Sequence, residues 1–325
     1  MRTVGVDIGG TKVAAGVVDE HGRVLAAVRR ETPHRTTSPS VVEDTIAEAV
    51  TELRSQYPDV AAVGVGAAGF VDAEGAYVRF APHLSWRDEP LRDAMRDRLG
   101  VPVTVDNDAN AALWAEVRFG AARGESDVLC VNLGTGIGGA LLVAGRLYRG
   151  AFGMAGEFGH MQVVPGGRAC ECGRTGCWEQ YASGNVIARA ARVLAKAGHA
   201  GSALLSGAGG DATRVTGHVV TEAARAGDPT ALRLLDEVGE WLGVGVANLV
   251  AAFDPALVVV GGGLSEAGEL LLGPAREAFA DTLPGRDYRP LPRIVAAALG
   301  NNAGLIGAAD LARRALDQAP AVESA

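Results

Sequence analysis

The sequence predicts an α/β protein built from two related domains. The chain has 325 residues, enough for two domains of about 100 to 200 residues each, and its 48% apolar and 21% charged residues are typical of a globular protein. A second observation is an internal repeat: a strand, a glycine-threonine turn and further strands at 4–30 recur at 128–148. This duplicated β-meander indicates two related domains that face one phosphorylated ligand.

The first meander runs from a strand at Val4–Asp7 into the turn Gly9-Gly10-Thr11-Lys12. Backbone N–H groups of such a turn can hold phosphates, and the adjacent Asp7 suggests a bound cation or hydroxyl nearby. Plain turn chemistry is the alternative, because Gly-Gly is common in hairpins.

A strand-to-helix junction follows in the same half of the chain. The pattern predicts helices at 40–57, 89–99 and 111–119, and buried strands at 60–66 and 101–105. Asn107 and Asp108 lie between the last of these strands and the last of these helices. Asn and Asp are preferred helix N-caps, so simple capping competes with a chemical role.

The second meander carries Gly134-Thr135-Gly136-Ile137-Gly138-Gly139, which satisfies G-x-G-x-x-G. A dinucleotide-binding fingerprint should open a helix within a βαβ unit. Residues 140–148 instead have the pattern of a hairpin, so the sequence favours a second phosphate-binding turn over a dinucleotide site.

The rest of the chain is predicted to be mostly helical. Helices are expected at 184–197, 215–226, 229–253 and 303–319, strands at 256–260 and 293–298, and a surface loop at 198–213. The turn Gly261-Gly262-Gly263 follows the strand at 256–260. It suits a base or ribose lying against the backbone, and a helix-entry loop without a ligand is the alternative.

Three of the four cysteines lie close together in one stretch of the chain, at 170–177. Cys170, Cys172 and Cys177 have the spacing C-x-C-x₄-C, and His160 precedes them. Three thiolates and one imidazole form a closed tetrahedral set that suits a structural zinc. The alternatives are a reduced cysteine cluster or a disulfide with one thiol left over, and both fit poorly with a polar, glycine-rich loop.

Glu157 and Glu179 flank this cysteine cluster. A zinc site that orders the loop would also fix these carboxylates beside His160, where they would suit the hydroxyls of a polyhydroxylated ligand. Solvated loop charges are an equal alternative from this stretch alone.

Charge and composition exclude some partners. The formal net charge is -8, and no Lys/Arg cluster provides the basic footprint of a nucleic-acid or anionic-membrane partner. The N-terminal residues enter a strand without a signal-peptide pattern, so we expect a cytoplasmic protein with reduced thiols. Glycine is enriched, at 45 residues, and gathers at strand ends where a ligand can approach the backbone.

Together these motifs resemble the sugar kinases of the family of repressors, open reading frames and kinases (ROK), within the actin and hexokinase-like superfamily. Within this family the sequence resembles bacterial glucokinases, and the resemblance covers essentially the whole chain. Its most specific part is the stretch from Gly156-Glu157-Phe158-Gly159-His160 to Cys177-Trp178-Glu179, supported by 7–12 and 107–110. Where the family often has Pro-Asn before the sugar site, this chain has Pro82-His83, so no sugar contact is expected there.

The resemblance implies a role for each motif. Asp108 would be the catalytic base, and Asn107, Asp108, Glu157, His160 and Glu179 would bind the sugar. Gly9, Gly10, Thr11 and Lys12, together with Gly134, Thr135, Gly136 and Gly138, would bind the phosphates of ATP, and Gly261, Gly262 and Gly263 would lie near its adenosine. Zinc would be bound by His160 and the three cysteines. Magnesium would bridge the phosphates.

The resemblance also implies a two-domain actin-like (ribonuclease H-like) fold with a cleft between the domains. We expect a small domain at 1–107, on which the helix at 303–319 packs, and a large domain at 108–302 that carries the zinc loop. The helix N-terminus is expected to keep Asp108 ionised. A homodimer or homotetramer is expected.

The predicted activity is ATP-dependent phosphorylation of glucose to glucose 6-phosphate. The alternatives are an N-acetylmannosamine, N-acetylglucosamine or other hexose kinase, or a polyphosphate-using kinase, although polyphosphate-using relatives typically lack the cysteine motif. A transcriptional repressor of the same family is disfavoured because no helix-turn-helix precedes Val4. A sugar sensor with an inactive site is disfavoured because Asn107 and Asp108 are both present.

Overall fold

The computed structural model describes residues 1–199 and 201–318. The strands of this part of the chain are β1 Arg2–Ile8, β2 Lys12–Val18, β3 Val24–Glu31, β4 Val60–Ala67, β5 Phe70–Val71, β6 Val78–Phe80, β7 Arg87–Glu89, β8 Val103–Asn107, β9 Val128–Leu133, β10 Ile137–Val143, β11 Arg146–Leu147, β12 Leu257–Gly261 and β13 Arg293–Ala296. The helices are α1 Pro39–Gln56, α2 Leu91–Leu99, α3 Asp108–Phe119, α4 Gly184–Lys196, α5 Ser202–Gly207, α6 Gly217–Arg225, α7 Pro229–Phe253, α8 Glu269–Thr282 and α9 Ala303–Gln318.

The chain divides into two compact units. Among the described residues, unit 1 comprises Met1–Gly124, Leu147–Ala155 and 301–318, and unit 2 comprises Glu125–Arg146 and Gly156–Gly300. Each unit contains a five-stranded sheet, in the order β3-β2-β1-β4-β8 in unit 1 and β11-β10-β9-β12-β13 in unit 2. In both sheets the central strand is antiparallel to the next strand of its meander and parallel to the strand on its other side. The α/β class is confirmed, and the repeat extends from a meander to a whole sheet.

The sheet of unit 1 is covered on one face by α9, because glycines let the backbones touch. A Cβ at Gly5 would lie 1.7 Å from the carbonyl oxygen of Leu305, and one at Gly64 would lie 1.8 Å from that of Ala308. These two glycines are register partners in β1 and β4. On the other face, Ile46, Val50 and Leu53 of α1 are fully buried in the core of unit 1.

The core of unit 2 is organised around α7. This helix begins after Asp228, whose side chain accepts hydrogen bonds from Thr230 N and Ala231 N, and has proline in its first turn. Glycines again permit close packing, because a Cβ at Gly243 would lie 2.3 Å from the carbonyl oxygen of Ala275 in α8. Strand β12 is buried at every position, as its continuous apolar sequence predicts.

Three features of the fold differ from the sequence predictions. A small sheet of β5, β6 and β7 follows β4, in a stretch for which the sequence predicted no strand. A short helix, α5, lies within the predicted surface loop at 198–213. The units divide after Gly124, whereas the sequence placed the boundary after Asn107, because α3 packs against α9 through Gly307. Of the predicted helix at 303–319, Ala319 lies outside the described residues.

Within the described residues, no helix combines the length and apolar content that a membrane crossing requires.

Candidate active site

The parallel strands of unit 1 end level with one another. Asp7 on β1 is the register partner of Gly66 on β4, which is the partner of Asp106 on β8. The turn Gly9–Lys12 and the pair Asn107–Asp108 therefore lie at the same edge of the sheet. Ligands of open α/β sheets bind at this carboxyl edge.

The turn between β1 and β2 is held from both sides. Gly9 N donates to Lys12 O at 3.0 Å, and the Thr32 hydroxyl donates to Gly9 O at 2.7 Å. Gly10 lies against His83, since a Cβ at Gly10 would be 2.8 Å from the Cβ of His83. The histidine that departs from the family pattern thus packs on the predicted phosphate turn.

Asn107 caps α3, and Asp108 is the first residue of the helix. The Asn107 side-chain oxygen accepts from Ala109 N at 2.9 Å and Asn110 N at 3.2 Å, and its amide donates to Gly69 O at 3.1 Å. The capping role that the sequence left open for both residues belongs to Asn107. The side chain of Asp108 is not needed as the cap.

Two carboxyl groups at this edge have raised pKa values. Burial and the neighbouring Asp108 raise the pKa of Asp7 to about 7, while Lys12 opposes the rise. Burial raises the pKa of Asp108 also, although the backbone N–H of Ala109 acts in the opposite direction. Desolvation therefore affects the pKa of Asp108 more strongly than the helix N-terminus does, and the expectation that Asp108 stays ionised remains a prediction.

Two residues that contact this junction were not predicted from the sequence. Asp106 is buried directly before Asn107, and Arg149 donates to its carboxylate from the segment Leu147–Ala155. Asp106 could have been suspected from its place in Asp-Asn-Asp. Arg149 is 43 positions away and gives no local signal.

Unit 2 brings its two glycine turns together. Asn132 on β9 is the register partner of Gly261 on β12, so the turns 134–136 and 261–263 leave neighbouring strands at one edge. Only glycine fits at Gly262, which has a φ of 81° and whose Cβ would lie 2.5 Å from Leu133 O. Gly184 N donates to Gly134 O at 2.9 Å, fixing the first turn to the start of α4.

Glu157 and His160 belong to a 3₁₀ turn that lies against β10. A Cβ at Gly139 would be 2.1 Å from the Phe158 ring, and one at Gly159 would be 2.3 Å from Ile137 O. Phe158 is 7% exposed, and His160 N donates to Glu157 O at 3.2 Å. Gly139 and Gly159 thus let the turn pack closely on the strand, which fixes the positions of Glu157 and His160.

The predicted zinc ligands converge. The ligand atoms of His160, Cys170, Cys172 and Cys177 all lie within 4.8 Å of one another. The Sγ atoms of Cys172 and Cys177 are 3.6 Å apart, and Cys170 Sγ is 3.8 Å from His160 Nδ1. A tetrahedron with Zn–S bonds of about 2.3 Å has edges of about 3.8 Å, so the set fits zinc. The alternative of a disulfide is wrong, because no disulfide links the four cysteines, all of which are described.

The cysteine loop is shaped by its own backbone. Cys170 N donates to Arg174 O at 2.8 Å and Gly176 N donates to Arg168 O at 2.7 Å. Gly176 has a φ of 77°, and a Cβ there would lie 1.7 Å from Val164 O. Burial raises the pKa of the Cys170 and Cys177 thiols, so their thiolate forms need a cation.

Glu179 lies between the cysteine cluster and the first glycine turn of unit 2. Its Oε1 accepts from Cys170 Sγ at 3.0 Å, and a Cβ at Gly136 would be 2.2 Å from its Oε2. The preceding Trp178 is fully buried, donates to Trp241 O at 2.7 Å and packs on Gly245 of α7. Trp178 thereby anchors Glu179 to the core of unit 2.

The ROK family model matches residues 3–315 of the chain. The chain belongs to the ROK family. Among ROK proteins it is 47% identical to a glucokinase of Streptomyces coelicolor over 96% of this chain and 97% of the relative. It is 38% identical to a glucokinase of Thermotoga maritima over the same shares, 96% and 97%.

A solved structure of a ROK family glucokinase from Streptomyces griseus, in complex with glucose and AMPPNP, superposes with a TM-score of 0.90 at 48% identity. The match covers 97% of this chain and 100% of that chain. The actin-like fold of ROK sugar kinases, which the sequence predicted, is confirmed.

Proposed function

We propose that this protein is a glucokinase that transfers the γ-phosphoryl group of ATP to the 6-hydroxyl of glucose. The observation that carries the proposal is the edge of unit 1, where a glycine turn at the end of β1 and Asp108 at the end of β8 lie level on either side of β4. The identity of 47% with a glucokinase over nearly the whole chain supports both the reaction and the sugar. So does the similarity to a glucokinase that holds glucose and a nucleotide analogue.

Unit 1 would supply the base and one phosphate turn. A carboxylate with a raised pKa is a stronger proton acceptor than an ordinary aspartate, which suits Asp108 for taking the proton of the attacking hydroxyl. Asn107 would bind the sugar beside it. Gly9, Gly10, Thr11 and Lys12 would hold phosphates through backbone N–H groups and the Lys12 ammonium.

Unit 2 would supply the remaining sugar contacts and the rest of the nucleotide site. Glu157 and Glu179 would accept hydrogen bonds from glucose hydroxyls, and His160 would contribute one ring nitrogen. Gly134, Thr135, Gly136 and Gly138 would hold phosphates, and Gly261, Gly262 and Gly263 would lie against the adenosine. Backbone at glycine turns can approach a ligand closely because no Cβ intervenes.

Zinc would have a structural role at His160, Cys170, Cys172 and Cys177. Bound zinc supplies a fixed tetrahedral centre that orders the loop. Cys170 must lose its proton to bind, which removes the proton that it now shares with Glu179 and leaves that carboxylate available to the sugar. The fully reduced cysteines that this ligand set needs support a cytoplasmic location.

Magnesium would accompany ATP, since phosphoryl transfer needs a cation that bridges the β- and γ-phosphates. Asp7 is the carboxylate next to the phosphate turn of unit 1 and could bind this cation, directly or through water. A homodimer or homotetramer is part of the proposal, and sedimentation velocity of the purified protein would test it.

A coupled assay of ADP release would test the function with glucose, mannose, N-acetylmannosamine and N-acetylglucosamine as acceptors. We expect glucose to give the largest kcat/KM. A clear preference for an N-acetylhexosamine would contradict the substrate and leave the kinase intact, whereas no turnover with any sugar would contradict both. Replacing ATP by polyphosphate in the same assay, with sugar phosphate as the readout, separates the two phosphate donors.

A further inference from the structure

Asp106 is a buried hydrogen-bond centre directly before the Asn107–Asp108 pair. Its Oδ1 accepts from Asn107 N and from Asn110 Nδ2, both at 2.9 Å, and its Oδ2 accepts from Arg149 Nε at 3.0 Å and Nη2 at 2.5 Å. A carboxylate has about four lone-pair sites, so its accepting capacity is fully used. Its orientation is therefore fixed.

The hydrogen bonds of Asp106 involve residues on both sides of the proposed base. They hold the backbone of Asn107 on one side of Asp108 and the side chain of Asn110 on the other. Asn110 is 1% exposed and cannot move to a new position without losing its core packing. The first turn of α3 is thus tied to the end of β8 through the Asp106 carboxylate.

Arg149 is itself held in place. Its segment, Leu147–Ala155, belongs to unit 1 although the residues on both sides of it belong to unit 2. Ala155 N donates to Arg149 O at 3.0 Å, and Gly153, with a φ of 85°, fits so closely that its Cβ would lie 2.4 Å from Ala73 N. The guanidinium donates from both Nε and Nη2 to one oxygen of Asp106, Oδ2, and such charge-assisted hydrogen bonds are stronger than neutral ones.

We propose that Arg149 is a positioning residue for the catalytic base Asp108, and that it acts through Asp106. The inference rests on the proposed function, because it assigns Arg149 a part in the same reaction. The pair has two effects at Asp108. It fixes the helix turn that carries the base, and it neutralises the charge of Asp106 so that a second uncompensated carboxylate does not oppose ionisation of Asp108.

The charges at this edge make the second effect measurable. Asp7 on β1, Asp106 on β8 and Asp108 on α3 are the carboxyl groups, while Lys12 on β2 and Arg149 are the cations. Helix α9 faces Asp7 with Gly304, which has no charge. Without Arg149, Asp106 would have no cation beside it, and a like charge nearby raises the pKa of a carboxyl group such as Asp108.

The test compares Arg149→Met, Arg149→Lys and the double variant Asp106→Asn/Arg149→Met with the wild type, using kcat against pH and the KM for glucose and ATP. In Arg149→Met we expect kcat to fall about tenfold or more through misplacement of the base. The acid limb of its profile should move up by about one pH unit. Arg149→Lys should lower kcat and leave the limb in place, and the double variant should return the limb to its wild-type position.

A matched control is Arg23→Met, because Arg23 also donates to a buried aspartate of unit 1, Asp19, at 2.8 Å, away from this edge. It should change neither kcat nor the acid limb.

The proposal is overturned if folded Arg149→Met keeps more than about half of wild-type kcat, or if the acid limb of its pH profile does not move, which is the result expected of a purely structural role. If Arg149→Met does not fold, an unchanged kcat in Arg149→Lys overturns it. Wild-type protein that phosphorylates no sugar would instead contradict the proposed function.

Discussion

The two sheets share a strand order but differ in the residues at their carboxyl edges. Asp7 of β1 occupies the register position that Asn132 occupies on β9, and both lie opposite a glycine, Gly66 or Gly261. β8 adds Asp106 at the edge of unit 1, whereas β13 ends in Ala296. The duplicated scaffold thus presents carboxylates in one unit and mainly neutral groups with glycine turns in the other. Strand order fixes where a ligand can bind, and the last residues of each strand decide what chemistry occurs there.

The largest effect should come from removing the proposed base from the carboxylate edge. Asp108→Asn keeps the shape of the side chain, and α3 keeps its Asn107 cap, so folding should change little. Asparagine cannot accept the proton, and we expect kcat to fall by about 10² to 10⁴ while the calorimetric Kd for glucose changes modestly. Asp93→Asn, in the first turn of α2, is the control. A residual kcat above about a tenth of wild type would show that Asp108 is not the base.

The second prediction concerns the cysteine cluster, which the edge of unit 1 lacks. Cys177→Ser should release zinc and loosen the loop that carries Glu157 and Glu179, lowering kcat/KM for glucose by about 10 to 100-fold. Elemental analysis together with steady-state kinetics checks this. Cys130→Ala removes the one cysteine outside the cluster and should leave one zinc per chain. Active wild-type protein without metal would contradict the prediction.

The third prediction makes the edge of unit 2 resemble that of unit 1. Asn132→Asp places a negative charge beside the turns 134–136 and 261–263, where it would repel the phosphates of ATP. We expect the KM for ATP to rise about tenfold, equivalent to about 1.4 kcal/mol, with little change for glucose. Asn248→Asp, on the exposed side of α7, is the control. An unchanged KM for ATP would show that this edge does not bind the phosphates.

The last prediction concerns stability rather than activity, and it is a pH dependence from Asp7 in the ligand-free protein. Its pKa is about 7 in the folded chain, against about 3.9 for an unperturbed aspartate. Between these values the folded state holds a proton that the unfolded state has released, so the contribution of Asp7 to stability falls as pH rises from about 4 to 7.

Asp7→Asn removes this dependence. The stability of the variant relative to wild type should therefore increase with pH across that window, by at most about 1.4 kcal/mol per pH unit, and level off above it. Urea unfolding at several pH values measures the difference. A difference that is constant from pH 5 to 8 would mean that Asp7 is not titrating there.

The sequence predicted most of what depends on local pattern. The helix predicted at 229–253 is observed as Pro229–Phe253, since proline at its start and Asp228 before it are local signals. The convergence of His160 with Cys170, Cys172 and Cys177, and the place of Asp108 at a strand-to-helix junction, were also predicted from spacing. These features need only residues that are close in sequence.

What the sequence missed depends on distant partners. Helix α5 begins where Leu204 N donates to Asp228 at 3.1 Å, a partner 24 positions later, so its glycine- and serine-rich composition indicated a loop. The sheet of β5, β6 and β7 is made of strands of two or three residues, too short to show a period. Arg149 meets Asp106 only because the segment after β11 returns to unit 1.

The packing of α9 on the sheet of unit 1 also implies an order of events during synthesis. Helix α9, which covers β1 and β4 through Gly5 and Gly64, is translated after all of unit 2. Ribosomes add roughly 5 to 20 residues per second, so the sheet of unit 1 waits about 10 to 40 s for the helix that covers it. Unit 2 contains no segment from beyond Gly300 and can complete its core first. The half of the chain that carries the proposed base is therefore the first to be made and the last to be finished.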